Sequence, residues 1–177
     1  MSLSAGALQL AGFLMAHGFW TIADAAPGDR YVPQALCETA DGERRLVTFD
    51  APSEDESLAQ ADTFMGSTAG QFAECAIARE SEVTTNQGQS ARALMIDLVG
   101  AGETMAIVQV YRPAGEAGGF RLLGDELLLD ERGTVLPRAV ANPVIVSLRE
   151  GAADHPGIEE RWREWNTGRD PANPLVK

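Results

Sequence analysis

The chain has very little positive charge. Its 177 residues include 14 Lys and Arg against 26 Asp and Glu, for a formal net charge of −12, and Lys177 is the single lysine. Nucleic acids and anionic membrane surfaces are bound through clustered Lys and Arg, and the only adjacent basic pair here is Arg44-Arg45. The composition therefore predicts that neither is a partner, and such acidity favours a soluble protein.

Residues that bind metals or act as nucleophiles are equally scarce. His17 and His155 are the two histidines, and Cys37 and Cys75 lie far apart in sequence. Neither pair has the spacing of a tetrahedral metal site, and the sequence has no Gly-x-Ser-x-Gly and no Walker-type loop. We therefore expect no metal and no cofactor.

The two cysteines bear on the compartment. A free cysteine behaves as a small buried hydrophobe in a reducing environment. We interpret Cys37 and Cys75 as buried free thiols, which predicts a cytoplasmic protein. The alternative is a secreted or periplasmic protein with a Cys37–Cys75 bridge.

No apolar run has the length and purity of a transmembrane helix. The longest begins at the N-terminus and carries an apolar stripe at spacings of three and four residues, at Leu8, Ala11, Met15, Phe19 and Ile22. This spacing predicts a helix over about 5–24 that packs on a core. Ala23-Asp24-Ala25 has the form of a signal cleavage site, but no Lys or Arg precedes Arg30, so we interpret the segment as a structural helix.

Turn and capping signals place the remaining elements. Asp41-Gly42 predicts a hairpin between 31–38 and 43–50, and Ser53 with Glu56 has the form of a capping box for a helix over 54–65. Period-two alternation then predicts strands near 71–81, 91–99, 103–112 and 119–129, with two weaker ones near 133–140 and 143–149. A last helix is predicted over 157–166.

Short turn-rich links join these strands and leave no room for crossover helices, so the pairing is predicted to be antiparallel. The sequence thus predicts an α+β fold: a curved antiparallel sheet of about six to eight strands with about three helices packed on it. We expect a single domain over 1–166, followed by a loosely ordered tail over 167–177.

Alternation sorts the central strands into two apolar faces. One contains Met95, Asp97, Met105 and Tyr111, and the other is purely aliphatic. An antiparallel sheet with one wet side would show polar residues on that side. We therefore expect both faces to be covered, either by helices alone or by helices and a second subunit in a homodimer.

The mixed face suggests a pocket between the first helix and the sheet. Its predicted lining is Trp20, Met95, Met105, Gln109 and Tyr111. Weak catalytic candidates are His17 as a general base, with Asp97 or Glu74 to orient it. The alternative is that these polar groups lie at strand ends in water.

Trp162 and Trp165 share one face of the last helix. Tryptophan is enriched at binding hot spots, so the pair is a candidate interface, and it equally suits docking of the helix on its own domain. With no catalytic motif present, the expected function is a non-enzymatic accessory or protein-binding module. The alternative is a small-molecule-binding protein or enzyme that uses the predicted pocket.

Overall fold

The structure is a computed structural model that describes residues 4–26, 28–68, 71–100 and 103–175. Within these ranges the chain forms four helices and six strands. The helices are α1 (Ala5–Asp24), α2 (Glu54–Thr68), α3 (Arg138–Ala153) and α4 (Glu159–Thr167). The strands are β1 (Gln34–Glu38), β2 (Arg44–Thr48), β3 (Glu74–Thr84), β4 (Ser90–Gly100), β5 (Glu103–Arg112) and β6 (Arg121–Leu129).

All six strands belong to one antiparallel sheet in the order β2-β1-β3-β4-β5-β6. The strands β3 to β6 form a meander, and the β1–β2 hairpin adds to its free side. Gly42 has φ +87° in the hairpin turn, as the Asp41-Gly42 signal requires. The predicted antiparallel α+β fold class is confirmed.

Helix α1 is the central helix of the molecule. Ser4 caps it by accepting from the Ala7 amide at 2.9 Å. Its apolar residues point in most directions, and Leu10, Leu14, Met15 and Phe19 are all buried because α1 lies between the sheet and α3. Ala23-Asp24-Ala25 therefore lies at the end of a helix whose side chains form part of the hydrophobic core. None of the helices in the described ranges has the length and apolarity that a membrane crossing requires.

The approach of α1 to α3 depends on two glycines. A Cβ on Gly12 would lie 1.8 Å from the carbonyl oxygen of Leu148, and a Cβ on Gly151 would lie 2.0 Å from that of Gln9. No real side chain fits at such distances, so the two backbones touch at this crossing.

The two strands predicted near 133–140 and 143–149 are wrong, because α3 occupies most of this segment. Its inward residues follow helical spacing: Ala141, Leu148 and Ala152 are buried, and Val144 and Ile145 pack beside them. The two prolines suggested an edge strand. In the structure Pro137 precedes the first turn and its carbonyl accepts from Val140 and Ala141.

The sheet register corrects the sorting of the two faces. Leu98 pairs with both Ala76 and Met105, while Met95 pairs with Arg79 and Val108. Residues that pair directly point to the same face, so Met95 and Asp97 lie opposite the face that carries Met105. The predicted face that joined Met95 to Met105 is wrong.

The first face, which carries Leu98 and Met105, is covered by α1, α3 and α4. The second face, which carries Met95, is covered in parts. Phe64 of α2 packs against a cluster that includes Ile77 at one end, and Leu175 packs against a cluster that includes Ala93 and Val110 at the other. Between them Met95, Leu127 and Leu129 stay half-exposed.

Residues after α4 add to the sheet instead of leaving it. The Asp170 backbone bonds with Leu122 and Gly124 on β6, and the Pro174 carbonyl accepts from the Asn86 amide at 2.7 Å. The described part of the predicted loose tail is therefore hydrogen-bonded to the domain, while residues 176–177 lie outside the described residues.

Cys37 and Cys75 face each other across β1 and β3 and form a disulfide. The interpretation as free thiols is wrong, because the pairing of β1 with β3 places the two cysteines directly opposite each other. An antiparallel pair brings directly opposed Cβ atoms within reach of such a bond.

We expect Cys37→Ala/Cys75→Ala to lower the free energy of unfolding by about 3 to 4 kcal/mol, because the bridge closes a loop of 38 residues in the unfolded chain. Urea denaturation of the oxidised protein and the variant measures this difference. Equal midpoints, with no free thiol in the oxidised protein, would contradict it.

The close contact of α1 and α3 at Gly12 predicts that a glycine-to-alanine substitution changes stability in opposite directions at two positions. Gly12→Ala should destabilise the fold by about 1 to 3 kcal/mol or more, since α1 and α3 must move apart. Gly66→Ala is the matched control: its Cβ would meet nothing within 4 Å in α2, so it should stabilise by about 0.5 to 1 kcal/mol. Thermal unfolding compares them, and similar losses in both would exclude the crossing as the cause.

Candidate functional site

The structure does not gather the predicted pocket residues around one cavity. Met105 and Tyr111 are buried on the first face beneath α1, whereas Met95 lies on the second face. Trp20 is 40% exposed near the end of α1. Among the catalytic candidates, Asp97 is also on the second face, where it accepts from Arg79 at 2.8 Å.

Glu74 and His17 are likewise separated. Glu74 accepts a hydrogen bond from Ser4 at the start of α1. His17 lies near the other end of α1, and its Nδ1 is 3.1 Å from Nε2 of His155. Phe13 stacks on His155 with 4.2 Å between ring centres. Burial and the neighbouring His155 lower the pKa of His17, and burial lowers the pKa of His155. Across the described residues, no three His, Cys, Asp or Glu side chains meet as a metal site would require.

Gln109 belongs to a buried ionic network. The Glu126 carboxylate, whose side chain is fully buried, accepts from Arg149 at 2.6 Å and from Arg169 at 2.9 Å. Arg169 also donates to Gln109 and to the Gly124 carbonyl. Every charge is paired, as a buried charge must be. The network ties β5, β6, α3 and the C-terminal segment together and leaves no group free for a ligand.

The two tryptophans of α4 pack on their own domain. Trp162 is 3% exposed within the main core, and the Trp165 ring lies 5.0 Å from that of Phe120. In this arrangement the pair docks α4 on its own domain, and the Trp162 side chain is too buried to contact a partner.

A different site lies where β1 separates from β3. The last paired residues are Gln34 and Ala78, so among the described residues the stretch Arg79–Thr84 has a strand partner only in β4. We call this stretch the β3 edge. Upstream of Gln34 the chain crosses onto the first face, where Tyr31 is buried in the core.

Along an antiparallel strand, alternate residues hydrogen-bond to the neighbour on one side, and this alternation shows which backbone groups of β3 face away from β4. The Thr85 amide donates to Gln89 at 2.8 Å, so odd-numbered residues of β3 bond to β4. Alternation in an antiparallel ladder then directs the N–H and C=O of Glu80, Glu82 and Thr84 away from β4. These groups present a short open edge to solvent.

The β3 edge forms the floor of an open cleft of about 410 Å³, which we call the edge cleft. Its lining includes Glu54 and Leu58 of α2 together with Arg30 and Tyr31, and the Arg30 guanidinium reaches α2, where it donates to Ser57 at 3.4 Å. The remaining lining residues are Arg79, Glu80, Ser81, Glu82 and Arg92. A smaller pocket of about 70 Å³ lies beyond Tyr31, between the end of α1 and the sheet.

Glu80 is the hydrogen-bonding centre of this region. Its carboxylate accepts from the Tyr111 hydroxyl and from the Tyr31 amide, and it pairs with Arg92 at 3.2 Å. Burial raises the pKa of Tyr31 and of Tyr111, so both remain phenols. Tyr31 donates to Gln34 at 3.0 Å. These groups hold one another in place.

Of the predicted pocket residues, Tyr111 alone takes part here, through its bond to Glu80. Arg30, Glu54, Glu80, Glu82 and Arg92 were missed. The only sequence signal was the polar run Arg79-Glu80-Ser81-Glu82, in which a strand stops alternating. The sequence matches no protein-family model, no curated protein and no solved structure. Function must therefore be argued from this geometry.

The paired imidazoles predict a pH-dependent stability. Both folded-state pKa values lie below the usual 6.5, so the unfolded chain binds protons that the folded chain resists. Stability should be full above about pH 6.5 and fall as the pH drops below it. Nearby Glu159 partly offsets this for His155.

Urea denaturation between about pH 7.5 and pH 5 tests this expectation. His17→Gln/His155→Gln should flatten the slope, and Glu131→Gln, an exposed control, should keep it. An unchanged slope in the double variant would assign the pH dependence to other groups.

Proposed function

We propose that this chain is a protein-binding module that accepts an extended segment of a partner along the β3 edge. The observation that carries the proposal is the early departure of β1, which leaves the N–H and C=O groups of Glu80 and Glu82 facing an open cleft. Exposed sheet edges bind partner strands through backbone hydrogen bonds, and side-chain pockets on either side supply specificity.

The other open edge supports the proposal less well. Strand β2 ends the sheet, is mostly exposed over Arg44–Thr48, and carries two adjacent arginines. Exposed charge is a common means of keeping an edge from pairing. The β3 edge also carries charge, at Arg79, Glu80 and Glu82, but Leu58 and Tyr31 line a cleft along it. A bound segment would therefore bury its side chains on both faces.

The proposal includes the compartment. The Cys37–Cys75 disulfide supports a protein that works in an oxidising environment, since such bonds persist there and are rare in the cytosol. We therefore propose a secreted or periplasmic location instead of the expected cytoplasmic one. The predicted homodimer stays a prediction, and the half-exposed Met95, Leu127 and Leu129 are where a second subunit would lie.

Selection of short random peptides on the oxidised protein tests the binding function. We expect a family of binders whose affinity falls at least about tenfold in Glu82→Pro, because proline removes an outward N–H of the β3 edge and adds bulk there. Fluorescence anisotropy of the selected peptides measures the affinities.

Leu46→Pro is the matched control. Odd-numbered residues of β2 hydrogen-bond to β1, so the Leu46 amide points away from β1 at the outer edge of the sheet. This substitution should leave binding unchanged. Peptides N-methylated at alternate residues keep their side chains and cannot complete a ladder, so they test pairing even if a proline variant unfolds. Selected binders that ignore both changes would refute the proposed site.

A further inference from the structure

The basic side chains of the edge cleft form ion pairs, whereas two of its acidic side chains do not. Each of its arginines already meets a carboxylate: Arg30 meets Asp50 at 3.6 Å, Arg79 meets Asp97 at 2.8 Å, and Arg92 meets Glu80 at 3.2 Å. Within the part of the chain that the structure describes, Glu54 and Glu82 have no such ion pair. Counted together with Asp50 and Asp97, the cleft therefore has five carboxylates against three arginines, with Arg92 directly opposite Glu82 in the ladder.

The two unpaired carboxylates lie on opposite sides of the β3 edge. Glu82 alternates with Ala78 and Glu80, so its side chain is on the first face. Glu54 begins α2, which packs on the second face through Ala61 and Phe64. A strand in the cleft directs successive side chains to the two faces, so it passes one acidic group on each side.

Self-pairing is opposed by the same charges. In an antiparallel pair the residues that exchange hydrogen bonds face each other directly, and the outward-bonding residues here are Glu80, Glu82 and Thr84. A second copy centred on Ser81 or Glu82 would place Glu80 or Glu82 opposite a glutamate of its partner, and like charges directly opposite destabilise a sheet. Symmetric pairing between the β3 edges of two copies is therefore disfavoured.

We propose that the partner contributes a basic extended segment, with Lys or Arg side chains on both faces of the added strand, one near Glu82 and one near Glu54. This inference rests on the proposed function and names the chemistry of its partner. The net charge of −12 acts in the same direction, because it attracts cationic chains at long range and raises their rate of encounter.

Three synthetic peptides test the proposal by fluorescence anisotropy at low salt. The first is Thr-Val-Thr-Lys-Lys-Thr-Val-Thr, whose adjacent lysines point to opposite faces of a strand. The second replaces each lysine by glutamate, and the third is the lysine peptide with alternate amides N-methylated. We expect the first to bind at least about tenfold more tightly than either of the others, and its affinity to fall as salt is raised.

Variants of the protein test whether Glu54 and Glu82 are the carboxylates that attract the lysine peptide. Glu54→Gln/Glu82→Gln should weaken binding of the lysine peptide about fivefold or more, as expected for two exposed ion pairs. Glu131→Gln/Glu160→Gln removes the same charge from exposed positions outside the cleft, so its effect should be much smaller. Equal losses in both pairs would show attraction to the whole molecule and would overturn the assignment to this cleft.

The peptide results separate the two proposals. If lysine and glutamate peptides bind equally and both lose affinity on N-methylation, the edge binds strands and the basic partner is wrong. If the methylated lysine peptide binds as well as its parent, no ladder forms and the edge-binding function fails. If the lysine peptide does not bind while peptides from random selection do, the basic partner is again wrong.

Discussion

The position of Tyr31 decides the shape of the sheet. Its side chain is buried beneath α1, where Gly18 leaves room for the hydroxyl, and its amide donates to Glu80 instead of to a strand. An extended chain entering β1 in line would have covered the β3 edge. Because Tyr31 draws the chain onto the first face, β1 pairs with β3 only from Gln34 onward. The edge cleft is the consequence of that one displacement.

The far end of β1 is held just as firmly. The Cys37–Cys75 bond joins β1 to β3 near the opposite end of their pairing, so β1 cannot slide along β3 to cover the edge. Below the sheet, contact between the backbones of α1 and α3 at Gly12 and Gly151 sets how closely the first face is covered. Covalent, packing and hydrogen-bonding constraints therefore act together to leave the same backbone groups of Glu80 and Glu82 exposed.

Sequence reasoning succeeded where a pattern is local. The stripe in α1, the Ser53 cap of α2 and the Asp-Gly hairpin all form as expected, because spacing and turn chemistry determine them. It failed on β4, whose two faces are both apolar, so that no alternation reveals the register of Met95. It failed on α3 because two prolines obscured helical spacing at Ala141 and Leu148. The cleft depends on contacts such as Tyr31 with Glu80, 49 residues apart, for which one sequence contains no signal.

An open edge inside a domain needs an explanation, because unpaired strands template aggregation. At the outer edge of β6 this chain prevents it with Asp170 and the segment after it, and at β2 with arginines. Among the described residues, no segment covers the β3 edge, and its charged side chains Arg79, Glu80 and Glu82 are of both signs. Its glutamates disfavour pairing with the same edge of a second copy. We therefore propose that the β3 edge is a surface for recognition, at which the carboxylates of Glu54 and Glu82 favour a partner of opposite charge.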